Sequence, residues 1–149
     1  MIHHFKYENR FALAKPFADL LVELVPENTD CLIPVPLHFQ KLRERRYNPP
    51  ALIANRLSKI LSIPLYLDVL KKISPSTSQT GLSKTERKKN VEKTFYVAKP
   101  EKIAYKRILL VDDVYTTGAT TDECRRVLEK RGASDVKILT LARSERMTS

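Results

Sequence analysis

Glycine is nearly missing from this chain: Gly81, Gly118 and Gly132 are the only three in 149 residues. A dinucleotide-binding fingerprint needs three glycines within six residues, and a P-loop needs two shortly before Lys-Ser/Thr, so neither can be written here. Cysteine is as scarce. Cys31 and Cys124 stand far apart and outside any CxxC pair, which excludes a tetrahedral cysteine zinc site. Both lie in apolar segments, where a free cysteine commonly serves as a small buried hydrophobe. Long apolar runs are also lacking. Spanning a membrane takes about 20 consecutive apolar residues, and the N-terminal stretch from Leu20 to Val25 is interrupted by Glu23. No membrane contact is expected. The start has no signal-peptide layout, so the expected location is the cytoplasm. The length suits one domain, 1–149, with one core.

Acidic residues are outnumbered. Lys and Arg total 27 against 17 Asp and Glu, a net charge of +10. Such an excess attracts phosphate, on nucleic acid or on a small substrate. The positive charge is clustered at Lys41, Arg43, Arg45 and Arg46; at Lys84, Arg87, Lys88, Lys89 and Lys93; and at Arg125, Arg126, Lys130 and Arg131. Taken alone, each cluster is as well explained as a solvated face.

Apolar residues at 13, 17, 20, 21, 24 and 25 have helical spacing and predict a helix over Phe11 to Val25. Cys31 to Val35 reads as a short buried strand, stopped by the prolines of Pro34-Val35-Pro36-Leu37-His38. Pro49-Pro50 can open a helix with a stripe at 53, 54, 57, 60 and 61. Pro64 to Leu70 and Thr94 to Ala98 have strand character. Between them, Ile73 to Asn90 is polar and cationic, and is expected to be a mobile excursion. Arg107 to Val111 is a strong buried strand, Thr121 to Arg131 a helix stopped by Gly132, and Asp135 to Ala142 a last strand. Strands alternating with helices predict an α/β domain with a mainly parallel central sheet flanked by helices. Ligands in such sheets bind beyond the carboxyl ends of strands, here after Val35 and after Val111.

The segment after Val111 carries distinctive chemistry. The apolar strand is expected to end in Asp112 and Asp113. Val114-Tyr115 follow, then Thr116-Thr117-Gly118-Ala119-Thr120 at the start of a helix. A helix N-terminus offers unpaired N–H groups and positive dipole character to a phosphate. Threonine hydroxyls add donors, and Gly118 allows the backbone to curl around an anion. The carboxylates suit sugar hydroxyls, or a magnesium ion carried in by the ligand. Phosphate, vicinal hydroxyls and a nearby metal together describe a 5-phosphoribosyl group. Two other motifs use similar letters. A receiver domain has its acidic pair near the N-terminus, whereas here only 36 residues follow Asp113. A Walker B strand would require a Walker A loop, which is excluded.

Residues 108 to 120, Ile-Leu-Leu-Val-Asp-Asp-Val-Tyr-Thr-Thr-Gly-Ala-Thr, resemble the signature with which type I phosphoribosyltransferases bind phosphoribosyl diphosphate (PRPP). Further upstream, Pro34-Val35-Pro36-Leu37-His38 and Lys41-Leu42-Arg43-Glu44-Arg45-Arg46-Tyr47-Asn48 resemble the ComF family, the phosphoribosyltransferase-like branch linked to natural competence and DNA uptake. Thr77, Gln79, Leu82, Arg87, Asn90 and Phe95, and the opening His4-Phe5-Lys6-Tyr7, extend the likeness over almost the whole chain. The resemblance implies a type I phosphoribosyltransferase fold. Asp112 and Asp113 would hold the ribose hydroxyls, and Thr116, Thr117, Gly118, Ala119 and Thr120 would cradle the 5-phosphate. Val35, Pro36, Leu37 and His38 would face the diphosphate. Thr77, Gln79, Arg87, Lys88 and Asn90 would sit on a flexible loop that closes over the site, with Arg87 catalytic beside Asp112 and Asp113. A mobile cationic loop can stabilise departing diphosphate while excluding water. Mg2+ would arrive with PRPP, and no resident metal ligands are expected. Members commonly read Arg-Gly-Phe-Asn-Gln where this chain reads Arg45-Arg46-Tyr47-Asn48-Pro49. Fuller-length members carry a zinc module before the position where this chain starts.

Three functions follow from these residues. The first is a phosphoribosyltransferase that releases diphosphate from PRPP onto an unidentified acceptor. The second is a non-catalytic PRPP- or nucleotide-sensing module that binds single-stranded DNA or a DNA-uptake helicase. The third is a scaffold, which the intact acidic pair argues against. A homodimer is left open. DNA contact is expected to be electrostatic and centred on Lys41 to Arg46 and Lys84 to Lys93.

Overall fold

The computed structural model describes residues 14–37, 43–44, 46–73, 94–115 and 117–143. Three parallel strands form the main sheet: β1 (Cys31–Pro34), β4 (Arg107–Tyr115) and β5 (Asp135–Arg143), in the order β1-β4-β5. Helices α1 (Ala14–Leu21), α2 (Pro49–Leu61) and α3 (Ala119–Lys130) flank it. A two-stranded antiparallel ladder pairs β2 (Leu70–Lys72) with β3 (Phe95–Val97).

The pleat of β4 organises the core, because successive side chains leave a strand on opposite faces. Leu109 and Val111 face one way, onto Ala18 and Leu21 of α1 and Ile53, Ala54 and Leu57 of α2. Ile108 and Leu110 face the other way, onto Cys124, Val127 and Leu128 of α3 and the residues of the β2–β3 ladder. Fully burying a Leu or Ile side chain contributes about 1.5–3 kcal/mol, and Leu32, Ile33, Ile53, Leu57, Leu110 and Leu128 are all buried. Cys31 and Cys124 are buried free thiols, as read from their apolar surroundings.

Three sequence readings need correction. Pro64 to Leu70 is not a strand. Only Leu65 bridges to Leu32, with the Leu32 N–H donating to Pro64 O at 2.9 Å and the Tyr66 N–H to Leu32 O at 3.0 Å. The chain then bends away, and Asp68 accepts hydrogen bonds from Lys99 and Lys102. The acidic pair does not lie beyond the strand. β4 runs on to Tyr115 because β5 is long enough to pair with it, Asp112 opposite Thr140 and Tyr115 opposite Arg143. The first helix is shorter than the periodicity suggested. Leu21 is followed by a 3-10 turn, Val22–Leu24, and residues 11–13 lie outside the described set. The remaining element readings hold over the described residues, whereas the expected excursion after Ile73 lies outside them. α2 opens on Pro49-Pro50, where missing N–H groups cost nothing. α3 ends at Lys130, and Gly132 follows its cap with a φ of +113° that suits glycine, the Ala133 N–H closing onto Leu128 O at 3.1 Å.

The topology places the site. From β1 the chain crosses by α2 to Leu65 on one side of β1, and later returns as β4 on its other side. The order therefore reverses between β1 and β4. In open α/β sheets, ligands bind in the crevice that such a reversal leaves at the carboxyl ends of the strands.

Candidate functional site

The carboxyl ends of β1 and β4 are joined by the Val35 N–H, which donates to Val111 O at 2.8 Å. Val35 itself is buried. The loop Val35–Leu37 thus starts beside Asp112 because of the β1–β4 register, although some 75 residues separate the two segments in sequence. The Val35 carbonyl accepts a hydrogen bond from Asn48 Nδ2 at 3.2 Å, which ties the loop to the start of α2. Sequence reading missed this use of Asn48. Its signal was the residue's place just before Pro49-Pro50, where it occupies the N-cap without capping the helix through its side chain.

Tyr47 and Asn48 follow a left-handed residue. Arg46 has φ of +61° at the position where the resembling family has glycine. A side chain in this region costs roughly 1–2 kcal/mol, which glycine avoids. The turn keeps a glycine conformation with an arginine in place, and the buried Tyr47 ring follows it.

Asp112 is half-buried and Asp113 buried. The Asp113 N–H donates to Asp112 Oδ1 and the Val114 N–H to Asp113 Oδ1, both at 2.8 Å. These bonds hold both carboxylates against their own backbone. Because they are consecutive in a strand, they flank its end from opposite faces. Asp112 is on the α3 face, where its charge adds to burial in raising the Cys124 thiol well above its ordinary range.

The turn from β4 into α3 has the features expected of an anion cradle. Gly118 is the N-cap, with φ of +81° and no side-chain cap on the helix. The Thr117 hydroxyl accepts from the Ala119 N–H at 3.3 Å, and the Thr121 hydroxyl donates to Gly118 O at 3.2 Å. Thr117 is exposed, and Ala119 and Thr120 open the helix half-buried. Val114 and Tyr115 complete the strand rather than the turn.

The structure therefore brings together Val35, Pro36, Leu37, Asp112, Asp113, Val114, Tyr115, Thr117, Gly118, Ala119 and Thr120. His38, Thr116, and the expected loop residues Thr77, Gln79, Arg87, Lys88 and Asn90 lie outside the described residues. A groove of about 430 Å³ adjoins the loop, lined by Pro34, Pro36, Leu37 and Asn48 on one side and Leu70, Lys71 and Lys72 on the other. Lys71 and Lys72 fall between the predicted strand and the excursion and were given no role by sequence. β2 sets them on the wall of this groove.

This arrangement has known counterparts. The phosphoribosyl transferase domain family matches residues 51–148. Competence protein F of Haemophilus influenzae is 34% identical over 97% of this chain and 67% of its own length. The chain belongs to the phosphoribosyltransferase-like ComF family. Competence protein ComFC of Streptococcus pneumoniae is 32% identical over 93% of the chain and 60% of its own length. The DNA utilization protein YhgH of Shigella flexneri is 28% identical over 97% and 66%. This ComF-family chain thus spans about two thirds, or less, of the curated relatives it matches. Among solved structures, glutamine PRPP amidotransferase from B. subtilis superposes with a TM-score of 0.62 at 19% identity, over 88% of this chain and 26% of that one. A purine phosphoribosyltransferase from Pyrococcus horikoshii superposes at 0.51 and 24% identity, over 96% and 78%. These likenesses show the type I phosphoribosyltransferase fold.

Proposed function

We propose that this chain binds PRPP, with its magnesium ion, in the crevice between β1 and β4, and that it does so within the competence and DNA-utilization role for which its relatives are named. The observation that carries the reading is the left-handed Gly118 at the start of α3, five residues after Asp113 of the acidic pair of β4. The N-terminal turn of α3 takes the 5-phosphate, because its N–H groups and dipole favour an anion. Asp112 and Asp113 accept hydrogen bonds from the ribose hydroxyls at the strand end. They can supply only part of the oxygen shell of Mg2+, whose remaining ligands come from diphosphate and water. Val35 to Leu37 face the diphosphate, with Lys71 and Lys72 on the far wall of the adjoining groove. In a transferase, diphosphate leaves towards these lysines while Asp112 and Asp113 stabilise the positive charge that develops on the ribose. The acceptor is then the nucleophile to be found.

Calorimetry with Mg-PRPP tests the binding. The wild-type chain should give a saturable heat that Asp112→Asn with Asp113→Asn abolishes, while circular dichroism shows the fold retained. Undiminished affinity in the double variant refutes the site. Diphosphate release from PRPP, with and without candidate acceptors, separates a transferase from a sensor.

The net charge of +10 favours a second partner, nucleic acid, in the same protein. Salt dependence of single-stranded DNA binding tests it, since contacts to phosphate weaken steeply with added salt.

A further inference from the structure

The expected DNA contacts, Lys41 to Arg46 and Lys84 to Lys93, fall mostly outside the described residues. Within the described residues, the side chain of Asn48 has a use that its position does not explain. It is the N-cap of α2, where asparagine ordinarily accepts a hydrogen bond from a backbone N–H of the first helical turn. The first two helical residues are Pro49 and Pro50, which have no N–H, and Asn48 makes no side-chain cap. Its Nδ2 instead donates to the Val35 carbonyl at 3.2 Å, thirteen residues back. Its Oδ1 is buried with no hydrogen-bond partner. A buried acceptor left unpaired costs free energy. Reversing the amide would be worse at Val35, because it would set two oxygens against each other. Asn48 also borders the groove beside the loop, with Nδ2 on Val35 and Oδ1 closed off inside the protein. It therefore acts through Val35.

The bond matters because of the loop it holds. Val35 stands between Pro34 and Pro36, and neither proline has an N–H with which to anchor the chain. Val35 is the anchor instead. Its side chain is buried, its N–H donates to Val111 O at 2.8 Å, and its carbonyl accepts from Asn48. That carbonyl belongs to the planar Val35–Pro36 peptide, so its direction sets the plane of the whole unit. Leu37 carries the next backbone N–H after Val35, and this N–H has no acceptor among the described residues. A rotation of the Val35–Pro36 peptide carries the Leu37 N–H with it. From the other side, the left-handed turn at Arg46 and the buried Tyr47 deliver Asn48 to the loop.

We propose that Asn48 is a positioning residue for diphosphate: through the Val35 carbonyl it holds the loop in the orientation that presents the Leu37 N–H to the diphosphate of PRPP. This role rests on the proposed PRPP site and adds to it a residue that touches no ligand atom. Donors already in place stabilise an anion better than donors that must first reorient. The 5-phosphate is taken at the start of α3, away from this loop, so losing the bond should weaken the hold on diphosphate selectively.

The test is calorimetry on the full chain with Mg-PRPP and with ribose 5-phosphate, which lacks the diphosphate. Three proteins are compared: wild type, Asn48→Ser and Asn48→Asp. Serine and aspartate match asparagine as N-cap residues, so a role confined to the helix predicts unchanged affinity for both ligands. Serine is neutral and too short to reach Val35, whereas aspartate reaches it with an oxygen that repels the carbonyl. Asn48→Ser should bind Mg-PRPP about three- to tenfold more weakly, the effect of one lost hydrogen bond. Asn48→Asp should bind it more weakly again. Asn48→Ser should hold ribose 5-phosphate as the wild type does, and circular dichroism should show both variants folded. Wild-type affinity for Mg-PRPP in Asn48→Ser would overturn the role of Asn48 and leave the PRPP site standing. Equal weakening of both ligands would overturn it too, since the change would then act on the site as a whole. A wild-type chain that does not bind Mg-PRPP would overturn the proposed function itself, and the role of Asn48 with it.

Discussion

Gly118 sits against the ring of Tyr115 so closely that a Cβ on the glycine would lie 2.8 Å from the tyrosine Cζ. The ring is the far end of a side chain and can swing aside. The backbone cannot adapt so cheaply, because φ at Gly118 is +81°. Gly118→Ala should therefore lose about 1–2 kcal/mol of stability from the left-handed conformation. For a chain of this size that is a fall in Tm of several degrees. It should also weaken Mg-PRPP binding, since the displaced ring borders the phosphate turn. Differential scanning calorimetry and a binding isotherm check both. An unchanged Tm would mean that the turn tolerates an ordinary residue.

Arg46 offers the opposite experiment. It already occupies a left-handed conformation at φ +61°. Arg46→Gly removes that strain, at the cost of a more flexible unfolded chain worth about 0.4–1 kcal/mol. The expected net effect is a gain of up to about 1 kcal/mol, read as a higher urea midpoint with unchanged slope. A clear loss would show that the Arg46 side chain contributes more than its backbone costs.

The pair Asp30–Arg107 gives a pH prediction. The Arg107 guanidinium and backbone N–H donate to the Asp30 carboxylate at 2.8–3.1 Å and lower its pKa from the ordinary 3.8 to about 2. A depressed carboxylate stabilises the fold above its unfolded pKa and loses that contribution as pH falls through the folded value. The window is therefore about pH 4 down to 2. The pair is exposed, and its effect on stability should be small. NMR titration of the Asp30 carboxyl carbon should give a midpoint near 2, moving up towards 3.8 in Arg107→Gln. An Asp30 that titrates normally in the wild type would contradict the pairing.

The two thiols should be inert. Burial pushes Cys31 up to about 11 and Cys124 higher still. The reactive species is the thiolate, which neither residue forms at neutral pH. Ellman's reagent at pH 8 should find no fast-reacting thiol in the native protein and both after denaturation. Fast reaction of either one in the native state would show that its segment opens.

The strong elements and the glycine turn into α3 were legible in the sequence because their signals are local. Ile108 to Val111 is a continuous apolar run, and Gly118 with its threonines announces both the turn and the helix. What failed depended on pairing. Pro64 to Leu70 has strand composition, but only Leu65 finds a partner in β1, and Asp68 turns away to Lys99 and Lys102. The carboxylates seemed to end a strand because acidic residues are poor strand formers. β5 carries the ladder past them to Tyr115. The Asn48 bond to Val35 joins residues from different elements, and no spacing rule encodes it.

Amide chemical-shift mapping with Mg-PRPP tests the central claim most directly. A 15N-labelled chain titrated with the ligand should shift the amides of Thr117 to Thr121 at the start of α3, together with Asp113 and the Val35 to Leu37 loop. The amides of α1 and of the carboxyl end of α2 should stay still. Shifts confined to β5 and the carboxyl end of α3, or spread evenly over the cationic surface, would contradict a phosphoribosyl site between β1 and β4.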